Sequence, residues 1–181
     1  MLPNSFFNRK TLKVAQDLVG KILVRRYYST SRKRYIVAKE KITEVEAYVG
    51  PHDLACHSSH GKTARNEVMF REAGTIYVYF TYGMHWMLNI VTEGKDFPAA
   101  VLVRGTENIS GPARLTKALN IGKKLNGMKL GKESGLWIAS PRQSFSEGGK
   151  TKLKILKTPR IGVAYAKGGW AEKPYRFVVQ D

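Results

Sequence analysis

Cysteine is nearly absent: Cys56 stands alone in a chain of 181 residues, so no disulfide can form within it. That is the expected state of a protein kept in a reducing compartment. Long apolar runs are missing too, since no stretch approaches the roughly 18 consecutive apolar residues of a membrane-crossing helix. The first ten residues hold a polar Asn4-Ser5-Phe6-Phe7-Asn8 run and lack the apolar core of a secretory signal. The expectation is a soluble intracellular protein, in the cytoplasm or nucleoid of a bacterium or the nucleus of a eukaryote. Internal repeats, low-complexity tracts and linkers are also lacking, which points to one domain over residues 1–181. No Walker-type phosphate loop and no convincing dinucleotide fingerprint occurs, so nucleotide hydrolysis and hydride transfer lose their usual signals. Acidic residues are scarce: 14 Asp and Glu face 31 Lys and Arg, for a formal charge of +17. A charge that large is costly in self-repulsion and is naturally matched by a polyanion such as nucleic acid. A generally solvated basic surface is the plainer alternative, and charge names no chemistry.

What is present suffices for a core, with 43% of residues hydrophobic. Leu12, Ala15, Leu18 and Val19 recur at helical spacing over residues 9–19, and Gly20 supplies a stop. Residues 21–28 read as a strand, 29–33 as a polar turn, and 35–49 as a long β-rich segment. An irregular stretch, 50–63, holds three of the four histidines. Two further strands, 74–82 and 85–91, meet at Tyr82-Gly83-Met84, which suggests a hairpin tip. Residues 99–104 form a short apolar strand, and Gly111-Pro112 opens a helix running to about Leu119. Strands follow at 135–139, 153–156, 161–164 and 175–179. Strands outnumber helices without alternating with them, so the fold class is α+β: a curved, mostly antiparallel sheet with a few flanking helices.

Within residues 41–49, strand alternation puts Glu44, Glu46 and Tyr48 on one face and Val45, Ala47 and Val49 on the other. The apolar set can enter the core, which leaves two carboxylates and an aromatic ring facing a cleft. An ordinary solvated strand face is the competing reading, yet Gly50-Pro51 ends the strand beside a loop, where functional groups concentrate. Paired carboxylates suit hydrolysis of a sugar bond, in which one activates water. Breaking a purine–deoxyribose bond poses the same problem, and an alkylated, cationic purine leaves easily, so one well-placed general base is enough. In the strand at 74–82, Tyr77 and Tyr79 alternate with Ile76, Val78 and Phe80. Tyr77 fits sheet packing, whereas Tyr82 at the turn is placed to wedge into a base stack. His52, Asp53, Cys56, His57 and His60 cluster, but the His-x3-Cys-His-x2-His spacing matches no common zinc pattern. No metal site and no nucleophilic cysteine is expected.

Several ordered blocks resemble one family. They are Glu44-Val45-Glu46-Ala47-Tyr48-Val49-Gly50-Pro51-x-Asp53 followed by His57-Ser58; Thr63-x-Arg65-Asn66-x-x-Met69-Phe70; Gly74-x-x-Tyr77-Val78-Tyr79-x-x-Tyr82-Gly83-Met84; and Asn89-Ile90. Ala99-Ala100-Val101-Leu102-x-Arg104, Gly111-Pro112-x-x-Leu115, Arg160-Ile161-Gly162-Val163 and Trp170-Ala171-x-Lys173-Pro174-x-Arg176-Phe177 continue the series. In this order, and over nearly the whole chain, the set resembles the alkyladenine (3-methyladenine) DNA glycosylases. The resemblance implies a monofunctional glycosylase of base excision repair. It would flip alkylated or deaminated purines (3-methyladenine, 7-methylguanine, hypoxanthine, ethenoadenine) from duplex DNA and hydrolyse the N-glycosidic bond with water.

By the same resemblance, Glu46 is the general base, and Arg104 a polar residue near the catalytic water and the DNA backbone. Tyr48, His57 and Tyr79 hold the flipped base, and Tyr82 fills the gap left in the duplex. Asn89 clashes with the 2-amino group of normal guanine. No cofactor is implied, the partner is double-stranded DNA, and a monomer is the default. Ala64 and Gly105-Thr106 depart from the family pattern, which leaves loop shape and substrate preference open. Glu44 is expected to play a structural or pKa-tuning part. Phosphate contacts are expected from the basic groups at residues 9–13, Arg25-Arg26, 32–34, 123–132 and 150–160. Two rivals stay open, a non-catalytic damage-sensing DNA-binding module and an RNA-modifying enzyme.

Overall fold

A computed structural model of the chain describes residues 1–141 and 153–180. Its first elements are two helices, α1 (Asn4–Phe7) and α2 (Thr11–Leu18), and two strands, β1 (Ile22–Ser29) and β2 (Arg34–Tyr48). A 3-10 turn at Glu67–Phe70 precedes β3 (Ile76–Thr81), β4 (His85–Thr92) and β5 (Ala99–Thr106). Helix α3 (Pro112–Ala118), a second 3-10 turn at Lys123–Leu125, β6 (Leu136–Ala139), β7 (Ile155–Thr158) and β8 (Arg176–Val179) complete the order. All pairings between these strands are antiparallel, in the order β3-β4-β5-β2-β1-β6, with β8 joined to β2 and β7 to β8. The expected α+β architecture is the one observed.

Strand β2 is the spine. Its first half pairs with β1, while Glu44 to Tyr48 pair with β5 and, from Glu44 to Glu46, with β8. The register against β5 shifts between Ile42 and Val45, a bulge that bends the strand and separates the two halves of the sheet. Beyond the bulge the alternation holds: Val45 and Ala47 enter the main core with Ile42, Ile76, Leu88, Ile90, Val101 and Val103. Helix α2 contributes Val14, Ala15 and Leu18 to that core, and Gly20, at φ +84°, follows it in the left-handed conformation expected of a helix stop. A second apolar cluster joins Cys56, Val68, Met69, Tyr77, Val91 and Ala100 under the loops that follow β2.

The structure alters several sequence readings. Helix α1 lies ahead of the expected helix, too short at four residues to leave a periodic signature. Strand β7 sits two residues later than expected, and residues 161–164 are bends and turns. The Ile161–Val163 pattern imitates a strand, but the Ile161 N–H is spent on a side-chain carboxylate. Two basic positions also change meaning. Arg25 is buried and donates to the carbonyls of Leu119, Asn120, Ser134 and Gly135, and Arg9 is tied to Asp17. Arg25 is thus a core clasp, out of reach of DNA. Lys150 and Lys152 lie outside the described residues.

Gly135 shows how tightly β1 and β6 are joined. It has φ +64°, its carbonyl accepts the Arg26 N–H, and a Cβ there would stand 2.3 Å from the Arg26 carbonyl oxygen. Gly135→Ala is expected to cost more than about 1 kcal/mol, because the clash is with backbone and the φ is unfavourable. Urea unfolding checks this, and an unchanged midpoint would contradict it.

Candidate active site

The site forms where the end of β2 meets three other chain segments. Glu46 is fully buried (0% exposed), so it does not open onto the adjacent cavity but sits behind three residues that line it, Tyr48, Arg104 and Ile161. Its Oε2 accepts the Tyr48 O–H at 3.0 Å and its Oε1 accepts the Ile161 N–H at 2.8 Å. Arg104, on β5, brings Nη1 to 3.4 Å from Oε1. Arg104 Nε donates to Glu44 at 2.9 Å, and Arg176, on β8, donates to the same oxygen at 2.6 Å. Glu44 therefore bridges two arginines and fixes where Arg104 points, the structural part expected of it.

Burial is the largest influence on Glu46 and raises its pKa above the ordinary carboxylate value. The Arg104 charge, the Ile161 N–H and the Tyr48 hydroxyl pull it back, and Glu44 adds a smaller upward push. Burial and the Glu46 charge in turn hold the Tyr48 phenol well above its usual pKa, so it stays protonated and donates.

Above Glu46 lies a cavity of about 350 Å³ lined by Tyr48, His57, Tyr77, Tyr79, Asn89, Arg104 and Tyr165, among others. That is the small end of the ligand-site range, roughly 300–1,000 Å³, and suits a nucleobase better than an extended cofactor. The Tyr48 ring is backed by the Arg160 guanidinium, 4.8 Å from its centroid. On the β3 side, Tyr79 packs edge-on to His57 at 4.5 Å between centroids, and Tyr77 lies 5.4 Å from Tyr79. Tyr77 is a packing residue, as expected, but its hydroxyl also meets His57 Nδ1 at 3.1 Å and orients that ring. Desolvation and the nearby Arg65 charge lower the His57 pKa. Asn89 is buried with its amide donating to the carbonyls of Tyr77 and Met87. Tyr82, at the β3–β4 turn, is 79% exposed with φ +52° and also lines the cavity mouth.

Strands β2, β3, β4 and β5 thus bring six of the seven anticipated residues to the lining of one cavity and the seventh, Glu46, behind that lining, with His57 delivered by the loop after β2. Sequence reasoning missed the support beneath them. Asp53 and Arg160, both fully buried at their side chains, form a two-pronged ion pair. Asp53 also accepts the N–H groups of Val49 and Ala55, while Arg160 donates to the carbonyls of Ala47 and Trp170. Arg160 is therefore withdrawn from the phosphate-contacting set in which its basic neighbourhood had placed it. Both residues fall within the matched blocks, which was the available signal, but nothing local says that they meet across 107 residues.

The geometry agrees with relationships visible along the chain. The model of the methylpurine-DNA glycosylase family matches residues 5–111 and 106–181. A Legionella pneumophila (strain Lens) protein named as a 3-methyladenine DNA glycosylase is 43% identical over 187 aligned residues, covering 99% of this chain and 94% of its own. Proteins of the same name from Methanocella arvoryzae and Myxococcus xanthus are each 41% identical, covering 98% and 99% of this chain and 91% and 90% of theirs. The chain belongs to the methylpurine-DNA glycosylase family. Within that family frame, Asp53 and Arg160 act from behind the cavity: they hold the loop after β2 and the 160–170 segment against the strand that carries Glu46.

Two outcomes are expected. Arg160→Met leaves the Asp53 carboxylate buried without its partner, at a cost of about 3–5 kcal/mol, and adding Asp53→Asn recovers part of it. Urea midpoints for the two variants test this, and a single variant as stable as the parent would contradict it. Glu46→Gln is expected to stabilise the protein at neutral pH. A raised carboxylate pKa favours the folded state below the unfolded value, and that contribution is lost as pH rises through the folded pKa. The variant's thermal midpoint should exceed the parent's near pH 7.5 and converge on it below the ordinary carboxylate pKa of about 4.3. A lower midpoint at pH 7.5 would count against the buried charge.

Proposed function

We propose that this member of the DNA glycosylases, hydrolases of N-glycosyl bonds, excises alkylated and deaminated purines from duplex DNA with a water activated by Glu46. The observation that carries the reading is the Glu46 carboxylate, held by a phenol, a backbone N–H and an arginine that all belong to residues lining an aromatic cavity. A module that only bound DNA would gain nothing from burying a negative charge there.

The chemistry runs as follows. The damaged nucleotide rotates out of the duplex, its base enters between the Tyr48 and Tyr79 sides of the cavity, and Tyr82 fills the vacated space. Stacking on phenol rings tolerates several purines, and cationic bases gain additionally from the ring faces. Water attacks C1′ of the deoxyribose while Glu46 accepts its proton. The C1′–N9 bond breaks with its electron pair passing to the purine, which leaves neutral if it was cationic and takes up a proton if it was not. The new C1′ hydroxyl closes an abasic sugar. Arg104, shared between Glu44 and Glu46, lies where it can hold the water or a backbone phosphate. Asn89, fixed on the Tyr77 and Met87 carbonyls and lining the cavity, is the residue that would collide with a 2-amino group on the base.

Single-turnover assays on duplexes carrying one hypoxanthine, one ethenoadenine or methylated purines test the proposal. Strand breaks should arise only after alkali, and Glu46→Gln should lower the rate by roughly 10²-fold or more while retaining lesion binding. Equal rates for parent and variant would remove Glu46 from its role. A parent that cleaves none of these duplexes yet binds them selectively would favour the damage-sensing module. Tyr82→Ala should weaken retention of the flipped base by about 1–3 kcal/mol, the scale of one aromatic stacking contact. Undiminished retention in an equilibrium-flipping measurement would contradict the wedge.

A further inference from the structure

The hairpin of β1 and β2 carries chemistry that the cavity does not use. Register pairs Tyr28 with Tyr35 and Arg26 with Val37, so Arg26, Tyr28, Tyr35, Val37 and Lys39 share one face. That face is open: Tyr28 is 51% and Tyr35 61% exposed. The two rings pack edge to face at 5.5 Å, and the Arg26 guanidinium lies over the Tyr35 ring at 4.5 Å. The turn adds Arg32, Lys33 and Arg34, with Lys33 held at φ +50°. Among the described residues, none of these cations forms an ion pair. The only carboxylate in the paired part of the hairpin, residues 22–41, is Glu40, which is held by Thr106 and Asn108. Unpaired cations and a guanidinium set over a phenol ring make a surface for a polyanion.

Strand register relates this surface to the cavity. Asn89 lies opposite Leu102, and Thr106 opposite Ile42, so the start of β4, beside Tyr82, lies level with Ile42 on β2. From Ile42, β2 continues for eight residues to Arg34 and the basic turn. Both hairpin tips therefore leave the same end of the sheet. Eight residues of strand span at most roughly 26 Å, the length of roughly eight base pairs at about 3.4 Å each.

We propose that the β1–β2 hairpin is a second DNA contact, holding the phosphate backbone of the duplex about eight base pairs from the flipped nucleotide. It rests on the reading of the chain as an enzyme of duplex DNA. Arg32, Lys33 and Arg34 meet phosphates, and Arg26, braced by Tyr35, extends the contact along the strand. The surface lengthens the bound footprint and leaves the chemical step untouched.

Fluorescence anisotropy on duplexes with a central, non-hydrolysable abasic analogue tests it. One duplex of about 12 base pairs ends short of the hairpin, and one of about 30 runs past it. For Arg32→Ser/Lys33→Ser/Arg34→Ser, affinity for the long duplex should fall about tenfold and its salt dependence should flatten by two to three phosphate contacts. Affinity for the short duplex should hold within about twofold, because the loss belongs only to contacts it does not reach. Arg26→Ser should follow the same pattern more weakly. An equal loss on both lengths, or no loss on the long one, overturns the proposal. The parent's preference for the abasic over the undamaged duplex reports separately on the function proposed above, so the two failures are distinguishable.

Discussion

The Asp53–Arg160 ion pair is the constraint on which the site depends. It joins the end of β2, the loop after it and the segment leading to Trp170, elements with no shared strand pairing at that point. Each consequence follows in sequence. With Arg160 in place, Ile161 is delivered so that its N–H meets Glu46, and the guanidinium becomes the back wall of Tyr48. With Asp53 capping the N–H groups of Val49 and Ala55, the loop turns sharply enough to bring Cys56 and His57 to the cavity. A buried pair of this kind adds little stability relative to apolar packing, yet losing one member is costly. Its value lies in fixing one arrangement.

A second electrostatic arrangement is layered on the first. Two carboxylates, Glu44 and Glu46, alternate with two arginines, Arg104 and Arg176, across three strands. Glu44 accepts from both arginines, while Arg104 keeps a second, longer contact with Glu46. Burial of Glu46 outweighs its three donors and raises its affinity for a proton. The protein forgoes stability at neutral pH to keep that group there, a trade that fits the general-base role proposed for it.

Much of this was legible in the sequence because it is local. Alternation along β2 separated Val45 and Ala47 from Glu46 and Tyr48, and the Tyr82-Gly83-Met84 turn placed an aromatic in the open. The strands of the central sheet were bounded by Gly, Pro and polar clusters and emerged within a residue or two. What stayed hidden is non-local. Arg160 and Arg25 read as basic surface, although each is buried and bonded to partners far along the chain. Residues 161–164 alternate like a strand but bend, because the Glu46 carboxylate captures the first N–H. Nor does pattern reveal that Glu46 is wholly buried, since burial comes from segments that arrive more than a hundred residues later.

Glu46, buried and with a raised affinity for a proton, is proposed to activate the water. The most direct measurement is the pH dependence of single-turnover excision at saturating enzyme. The account predicts a rate that rises with pH through one ionisation above the ordinary carboxylate range, displaced upward when Arg104→Gln removes the charge that favours ionised Glu46. A rate independent of pH on the acid side, or an acid limb unmoved by Arg104→Gln, would contradict it.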